Sequence, residues 1–266
     1  MSASISRRSL LAATGVTVAA AGLAYTTAEA STVGKAEWQE RWAPDPGSDG
    51  LDAFEGVEDD RADSHPDGQP HIYVEDDAYR FNMHMEDVDS HTDRQRQEVK
   101  GMRTPAGGDF LVIEPGSTWR LNYQVFIPET LLATKTFTHI TQLYSPKIGP
   151  AMMISLRRVD GVETMELKDH PQDILVERTE LAPLKERWID IELEILAGDA
   201  PDGAVRWVVK DGSQTIVDVS KDGLGTSLEG VRIRPKWGIY RSLEDDTGSL
   251  RDCHLLMRGM RAYEQV

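Results

Sequence analysis

Strict alternation of apolar and polar residues is the feature that most limits how this chain can fold. From Trp119 to Ile127 every second side chain is apolar (Trp119, Leu121, Tyr123, Val125, Ile127), with Arg120, Asn122, Gln124 and Phe126 between them. Successive side chains of a strand point to opposite faces, so this spacing means one buried face and one polar face. Ile189, Ile191, Leu193 and Ile195 alternate with Trp188, Asp190, Glu192 and Glu194 in the same way. Val205 to Lys210 and Thr215 to Val219 flank Asp211-Gly212-Ser213, a hairpin signal. No long amphipathic helix competes, and Pro128 to Lys135 fits either a short helix or a loop. Strands recurring between Gly, Pro and Asp predict an all-β chain of two stacked antiparallel sheets, a sandwich or a jelly roll.

The first 30 residues obey a different logic. Arg7-Arg8 sits inside Ser-Arg-Arg-Ser-Leu-Leu, followed by a small, apolar stretch from Ala12 to Ala24 and closed by Ala28-Glu29-Ala30. A basic front, an apolar middle and small residues at the cut predict a twin-arginine export signal over residues 1–30. The expected product is secreted, begins at Ser31 and has no membrane association once cleaved. Residues 31–70 are expected to form an acidic, partly irregular lead-in, and residues 71–266 the β domain.

The formal charge is −16, from 29 basic and 45 acidic residues. Residues 31–90 hold 17 acidic and 4 basic side chains, whereas residues 91–266 hold 27 and 23, a net of only −4. Such a balance argues against a non-specific nucleic-acid partner, which needs a strong basic patch. The single cysteine, Cys253, excludes an intrachain disulfide and a CxxC metal or redox site. Asp76-Asp77 and Asp245-Asp246 are acidic enough for calcium but lack the Asp-x-Asp-x-Asp-Gly spacing. The chain is therefore expected to be a monomer with no structural metal and no cofactor, calcium being the one ion considered.

Three segments carry chemistry. As a strand, Arg94-Gln95-Arg96-Gln97-Glu98-Val99-Lys100 sends Arg94, Arg96, Glu98 and Lys100 to one face. In Thr138-His139-Ile140-Thr141-Gln142-Leu143-Tyr144, Gln142 and Tyr144 share a face and His139 is expected on the other. In Lys236-Trp237-Gly238-Ile239-Tyr240-Arg241, Lys236 and Tyr240 share a face across Gly238, which leaves room for a ligand or a close backbone. Trp237 and Ile239 then face the core.

In order and spacing these segments resemble the jelly-roll polysaccharide lyases, the group holding the heparin lyase I-like, glucuronan lyase and alginate lyase families. Those families carry an Arg-x-Glu strand, a Gln-x-His strand and a late Lys-x-Gly-x-Tyr strand. Arg96-Gln97-Glu98 and Lys236-Trp237-Gly238-Ile239-Tyr240 fit the first and third. Arg120 to Pro128, Arg187 to Asp190 and the Asp211-Gly212 hairpin look like further strands of the group, so the resemblance spans roughly residues 75 to 262. It implies a concanavalin-like jelly roll and an acidic polysaccharide partner. The implied reaction is β-elimination at a uronic acid, with Gln142 and Arg96 neutralising the carboxylate next to the C5 proton. Tyr240 is the implied acid/base, with Tyr144 second, and Arg94, Glu98, Lys100, Arg120 and Lys236 line the substrate groove.

Where the family often has histidine, this chain has Tyr144. One tyrosine acting as both base and acid requires the C5 proton and O4 on the same side, which points to glucuronate or, less so, mannuronate. His139 takes part only if a bulge turns it to the other face. Two other functions fit the same fold. Asp190, Glu192 and Glu194 are similar to the Glu-x-Asp-x-Glu of jelly-roll glycoside hydrolases, but Trp188 stands in the first place and the acids read as a solvated face. A non-catalytic carbohydrate-binding protein would use the same groove without turnover. For export, replacing Arg7 and Arg8 with lysine should abolish secretion of the folded precursor; unchanged secretion would reject the twin-arginine route.

Overall fold

The computed structural model describes residues 37–65, 68–104 and 108–266; the export signal expected at residues 1–30 lies outside them. Seventeen strands follow in chain order among the described residues: β1 (Trp38–Trp42), β2 (Gly56–Glu58), β3 (Ile72–Glu75), β4 (Ala78–Met83), β5 (Arg94–Lys100), β6 (Met102–Arg103), β7 (Phe110–Leu111), β8 (Thr118–Phe126), β9 (Thr138–Ser145), β10 (Gly149–Val159), β11 (Val162–Asp169), β12 (Ile174–Glu180), β13 (Trp188–Leu196), β14 (Gly203–Asp211), β15 (Gln214–Leu224), β16 (Arg234–Ser242) and β17 (Cys253–Gln265). One sheet runs β15-β14-β13-β8-β17-β4-β3, with β1 added on the far half of β17. The other runs β12-β11-β10-β9-β16-β5-β2, and β6-β7 form a small ribbon. All the strand pairs are antiparallel, as a jelly-roll sandwich requires.

The alternation read from sequence sets which face is dry. Trp119, Leu121, Tyr123 and Val125 of β8 and Ile189, Ile191, Leu193 and Ile195 of β13 are buried in the core. They pack with residues of the other sheet, among them Leu143, Ile154, Leu167, Trp237 and Ile239. Asp211 pairs with Gln214, so the hairpin turns on Gly212-Ser213, with Gly212 at a φ of 55°. Pro128 to Lys135 carries no helix; Leu131 and Ala133 are buried, and Thr134 makes a parallel bridge to Arg157.

The acidic lead-in needs correction. From Glu37 onward it is part of the sandwich, contributing β1 to one sheet and β2 to the other. A short helix, Pro46–Asp49, is capped by the Asp45 carboxylate, which accepts the N–H groups of Gly47 and Ser48. The acidic residues therefore flank a buried aromatic path: Trp42 stacks on Trp237 with centroids 5.7 Å apart, and Phe54 meets Tyr79 edge-on at 4.9 Å. Net charge hid this because two large aromatics outweigh many solvated carboxylates in deciding where backbone goes. Trp42→Ala should destabilise the fold by about 3–5 kcal/mol in urea unfolding, the usual cost of truncating a core aromatic. A loss below about 1 kcal/mol would mean that the lead-in is dispensable.

Candidate functional site

The outer face of the second sheet gathers most of the residues singled out by sequence. Lys236 pairs with Lys100, Gly238 with Glu98, Tyr240 with Arg96 and Ser242 with Arg94, so β5 and β16 present these side chains to one face. Gly238 is the position where only glycine fits. Its φ is 135°, and a Cβ there would sit 2.1 Å from the Gln97 carbonyl oxygen. The room it makes is for the neighbouring backbone.

Beneath this face lies a buried polar floor. Lys236, only 2% exposed, donates to Glu98 Oε2 at 2.6 Å and meets Glu58 Oε2 at 2.6 Å. Gln142 Nε2 donates to the other oxygen of Glu98 at 2.5 Å. Arg96 lies 3.1 Å from Asp89 and 3.3 Å from Glu58, and Lys100 lies 3.2 Å from Glu58. Burial pushes the Glu58 carboxyl up, but Lys236, Arg96 and Lys100 outweigh it and hold the group at about 2. Arg94 is paired with Asp93. The cations Arg94, Arg96, Lys100 and Lys236 are thus matched by Glu58, Asp89, Asp93 and Glu98. The basic groove expected from the sequence is charge-balanced.

Tyr240 stands above the floor. Its hydroxyl accepts a hydrogen bond from Arg94 Nη1 at 2.7 Å, and the Arg96 guanidinium carbon lies 4.1 Å from its ring centroid. Directly opposite is His139, which corrects the expected orientation. Tyr240 pairs with His139 while Trp237 pairs with Thr141, so Gly238 and Ile239 together face Ile140. On its other edge β9 is irregular at the same place, with Ile154 opposite Thr141 and Ser155 opposite His139. Ile140 and Thr141 both turn inward, the latter meeting the Tyr123 hydroxyl at 2.7 Å. This bulge puts His139 on the same face as Gln142. The two rings lie 5.7 Å apart, and Phe137 stacks on the imidazole at 4.7 Å. His139 Nδ1 bonds the Ser155 hydroxyl at 2.7 Å. Burial, with His170, Arg157, Arg96 and Lys236 nearby, pushes its pKa down to about 3, so the ring is neutral.

Two other residues stand elsewhere. Tyr144 is on the same face but opposite Arg234, six residues or about 20 Å along β16 from Tyr240. There its ring is flanked by Lys236 and Arg234 at 5.4 and 5.9 Å, an arrangement that suits stacking on a sugar. It is not placed to share a proton transfer with Tyr240. Arg120 belongs to β8 in the other sheet. It reaches Glu194 at 2.8 Å and lies over Trp38, on the outer face opposite the site. Asp190, Glu192 and Glu194 share that face and are tied up by Gln124, Arg120 and Arg206, as a solvated surface would be. Asp245 uses its oxygens on the N–H groups of Lys135, Thr247 and Ser249, which makes it a turn scaffold.

Sequence reading missed Glu58, Asp89, Ser155 and Arg157. Arg157 follows Ser155 by two on β10, bears on His139, and makes no ion pair among the described residues. Glu58 lay within the stretch expected to be an acidic, partly irregular lead-in.

No protein-family model matches the chain, and no curated protein sequence does. Solved structures do match. A family 7 alginate lyase in complex with the product GGG superposes with a TM-score of 0.55 at 12% identity, covering 84% of this chain and 100% of its own. The endo-β-1,4-glucuronan lyase of the fungus Trichoderma reesei gives 0.53 at 10% identity, covering 85% and 94%. The alginate lyase AlgAT5 of polysaccharide lyase family 7 gives 0.50 at 14%, covering 76% and 85%. At these identities the likeness is one of fold: the chain has the all-β jelly roll of those lyases.

The buried histidine yields a stability test. Unfolded histidine titrates near 6.5 and folded His139 near 3, so between these values the unfolded chain binds one more proton. Its contribution is present above about pH 6.5 and is lost as pH falls, at up to ~1.4 kcal/mol per pH unit. Glu58 acts lower, between its ordinary 4.5 and about 2. Between pH 4.5 and 6.5, His139→Gln should therefore flatten the dependence of urea-unfolding stability on pH relative to the parent. Equal slopes would show that the imidazole is not held neutral.

Proposed function

We propose that the protein is a secreted polysaccharide lyase that cleaves a uronate-containing polysaccharide by β-elimination, with Tyr240 as acid and base. One observation carries the reading: the Tyr240 hydroxyl sits in a hydrogen bond from Arg94, under Arg96 and across from a neutral His139. The jelly roll shared with alginate and glucuronan lyases supports it.

The reaction breaks the C5–H and C4–O4 bonds of a uronate and forms a C4=C5 double bond. The C5 proton is acidic only if charge building on the carboxylate is met by donors. Gln142, oriented by its bond to Glu98, and the neutral imidazole of His139 supply those donors without a full counter-charge. Tyr240 takes the proton as Arg94 and Arg96 steady the phenolate, then returns it to the departing O4. A charge-balanced face binds the uronate through hydrogen bonds and stacking, with Tyr144 under a more distant sugar. The twin-arginine signal would deliver this enzyme, as a monomer, to an extracellular acidic polysaccharide.

Substrate choice follows from the weakness of His139 as a proton acceptor. With a pKa pushed to about 3 it is a poor base for C5, which leaves both transfers to Tyr240 and favours same-side elimination. Glucuronan is then preferred, and polymannuronate comes next. The competing arrangement, His139 as base and Tyr240 as acid on opposite sides, is favoured by their facing positions and would select guluronate.

Purified protein should raise the ultraviolet absorbance of unsaturated product on glucuronan above that on polyguluronate or pectate. Tyr240→Phe should lower kcat by about 10²–10⁴-fold with little change in binding. Full activity in that variant would remove Tyr240 from the mechanism. Activity confined to polyguluronate would favour the His139 route, and binding without turnover on every uronate would leave a carbohydrate-binding protein.

A further inference from the structure

A second cluster lies apart from Tyr240 and His139, where the segment leading into β3 meets the turn after β4. His65, His71, His84 and Asp87 each offer a ligand atom, and these atoms all lie within 4.8 Å of one another. The imidazole centroids are 4.3 Å (His65–His84), 5.0 Å (His71–His84) and 5.2 Å (His65–His71) apart. His71 and Asp87 are each 1% exposed. His71 Nε2 is 3.1 Å from Asp87 Oδ1, and His84 Nδ1 is 3.5 Å from Asp87 Oδ2. Three imidazoles thus converge on one carboxylate at a loop junction, with His71 and Asp87 buried and His65 and His84 at the rim.

We propose that these four side chains form a transition-metal site, with Zn(II) the best-fitting ion. Four ligands at about 2.0–2.1 Å around a tetrahedral zinc stand roughly 3.3 Å from one another. The His71 Nε2–Asp87 Oδ1 edge already has that spacing, while His84 Nδ1 lies 3.5 Å from the carboxylate's other oxygen. The far nitrogen of His71, Nδ1, faces Asp59 Oδ1 at 3.2 Å. That nitrogen makes no hydrogen bond while Nε2 bonds Asp87 Oδ1, so an ion on Nε2 would shift the ring proton to Nδ1 beside Asp59, the outer carboxylate that most ligating histidines have. Asp59 is itself held by the N–H groups of His71 and Ile72. His84 Nδ1 is shielded from solvent and makes no hydrogen bond. The Asp87 carboxylate is anchored by the His84 N–H at 2.7 Å. Nitrogen and a single oxygen suit zinc, whereas calcium takes six to eight oxygens. An open hollow lined by His65, His84, Met85, Glu86 and Arg251 gives the ion a path in.

Four protein ligands leave no open position, which makes this a structural site. Its consequence reaches the other face through two short links. Asp89, two residues beyond Asp87, pairs with Arg96 at 3.1 Å, and Gln95 donates to the carbonyl oxygens of His84 and Asp87. A metal here would clip the loop that carries Asp59 and Asp60 to the turn that steadies Arg96.

The test uses the whole mature chain, stripped with chelator and titrated with Zn(II) alone in a calorimeter, then with Co(II) as a spectroscopic stand-in. One equivalent of zinc should bind, the cobalt form should show the strong visible bands of tetrahedral coordination, and calcium should not compete. His65 and His84 are partly exposed, so H65Q with H84Q is the variant least disturbing to the fold, and it should bind zinc at least about 100-fold more weakly. Asp59→Asn should weaken binding about 10–100-fold by loosening the His71 tautomer. No zinc uptake by the parent, octahedral cobalt, or undiminished affinity in a folded double variant would overturn the site. If the double variant unfolds, the parent's cobalt spectrum and stoichiometry still decide. Neither readout depends on turnover.

Discussion

Lys236 and Glu98 face each other in a place that is nearly sealed from water, and the site depends on that pair being complete. Removing one charge from such a pair leaves the other unpaired and costs several kcal/mol. The same carboxylate takes the Gln142 amide, and the same ammonium takes Glu58. One polar group thus comes from each of β2, β5, β9 and β16, and their registers are locked together. A slip of one residue in any of these strands would turn its polar group into the apolar core. Whatever Arg96 and Tyr240 do chemically, they do it on strands held in register by this cluster.

The bulge at Ile140 is the second constraint, and it converts a structural histidine into a site residue. Gly238 allows β16 to lie against β5 where a side chain would collide with the Gln97 carbonyl, and the extra residue in β16 is absorbed at the same point. His139 then meets Tyr240 across the strand pair. Its burial and the charges nearby keep it neutral, and Ser155 takes its Nδ1. Since Arg96 and Lys236 are already matched by carboxylates and Arg157 makes no ion pair among the described residues, selectivity for a uronate would rest on directed hydrogen bonds and on that one unmatched cation. That is consistent with a chain whose overall charge is strongly negative.

The sequence was legible where one physical rule acted alone. Period-2 alternation in β8 and β13 gave the sandwich, because the two faces of those strands differ sharply in polarity. The shared face of Arg94, Arg96, Glu98 and Lys100, and that of Lys236 and Tyr240, followed from the same rule, since β5 and β16 pair without a shift. It failed in β9, where two consecutive residues turn inward and strict alternation breaks. Arg120 was misplaced because strand periodicity gives a face but not a sheet. The part played by Trp42, Phe54 and Glu58 was masked by the charge around them. The three histidines and Asp87 come from separate turns with no fixed spacing, so only the folded chain brings them together.

In the proposed reaction one uronate sits between Tyr240, His139 and Gln142. The most direct measurement is a crystal structure of Tyr240→Phe with a glucuronate tetrasaccharide bound. The expected result is one uronate carboxylate within hydrogen-bonding reach of Gln142 and His139, with its C5 and O4 both facing the ring of residue 240. A sugar chain bound on the outer face of the other sheet, or one whose carboxylate points away from Gln142 and His139, would contradict it.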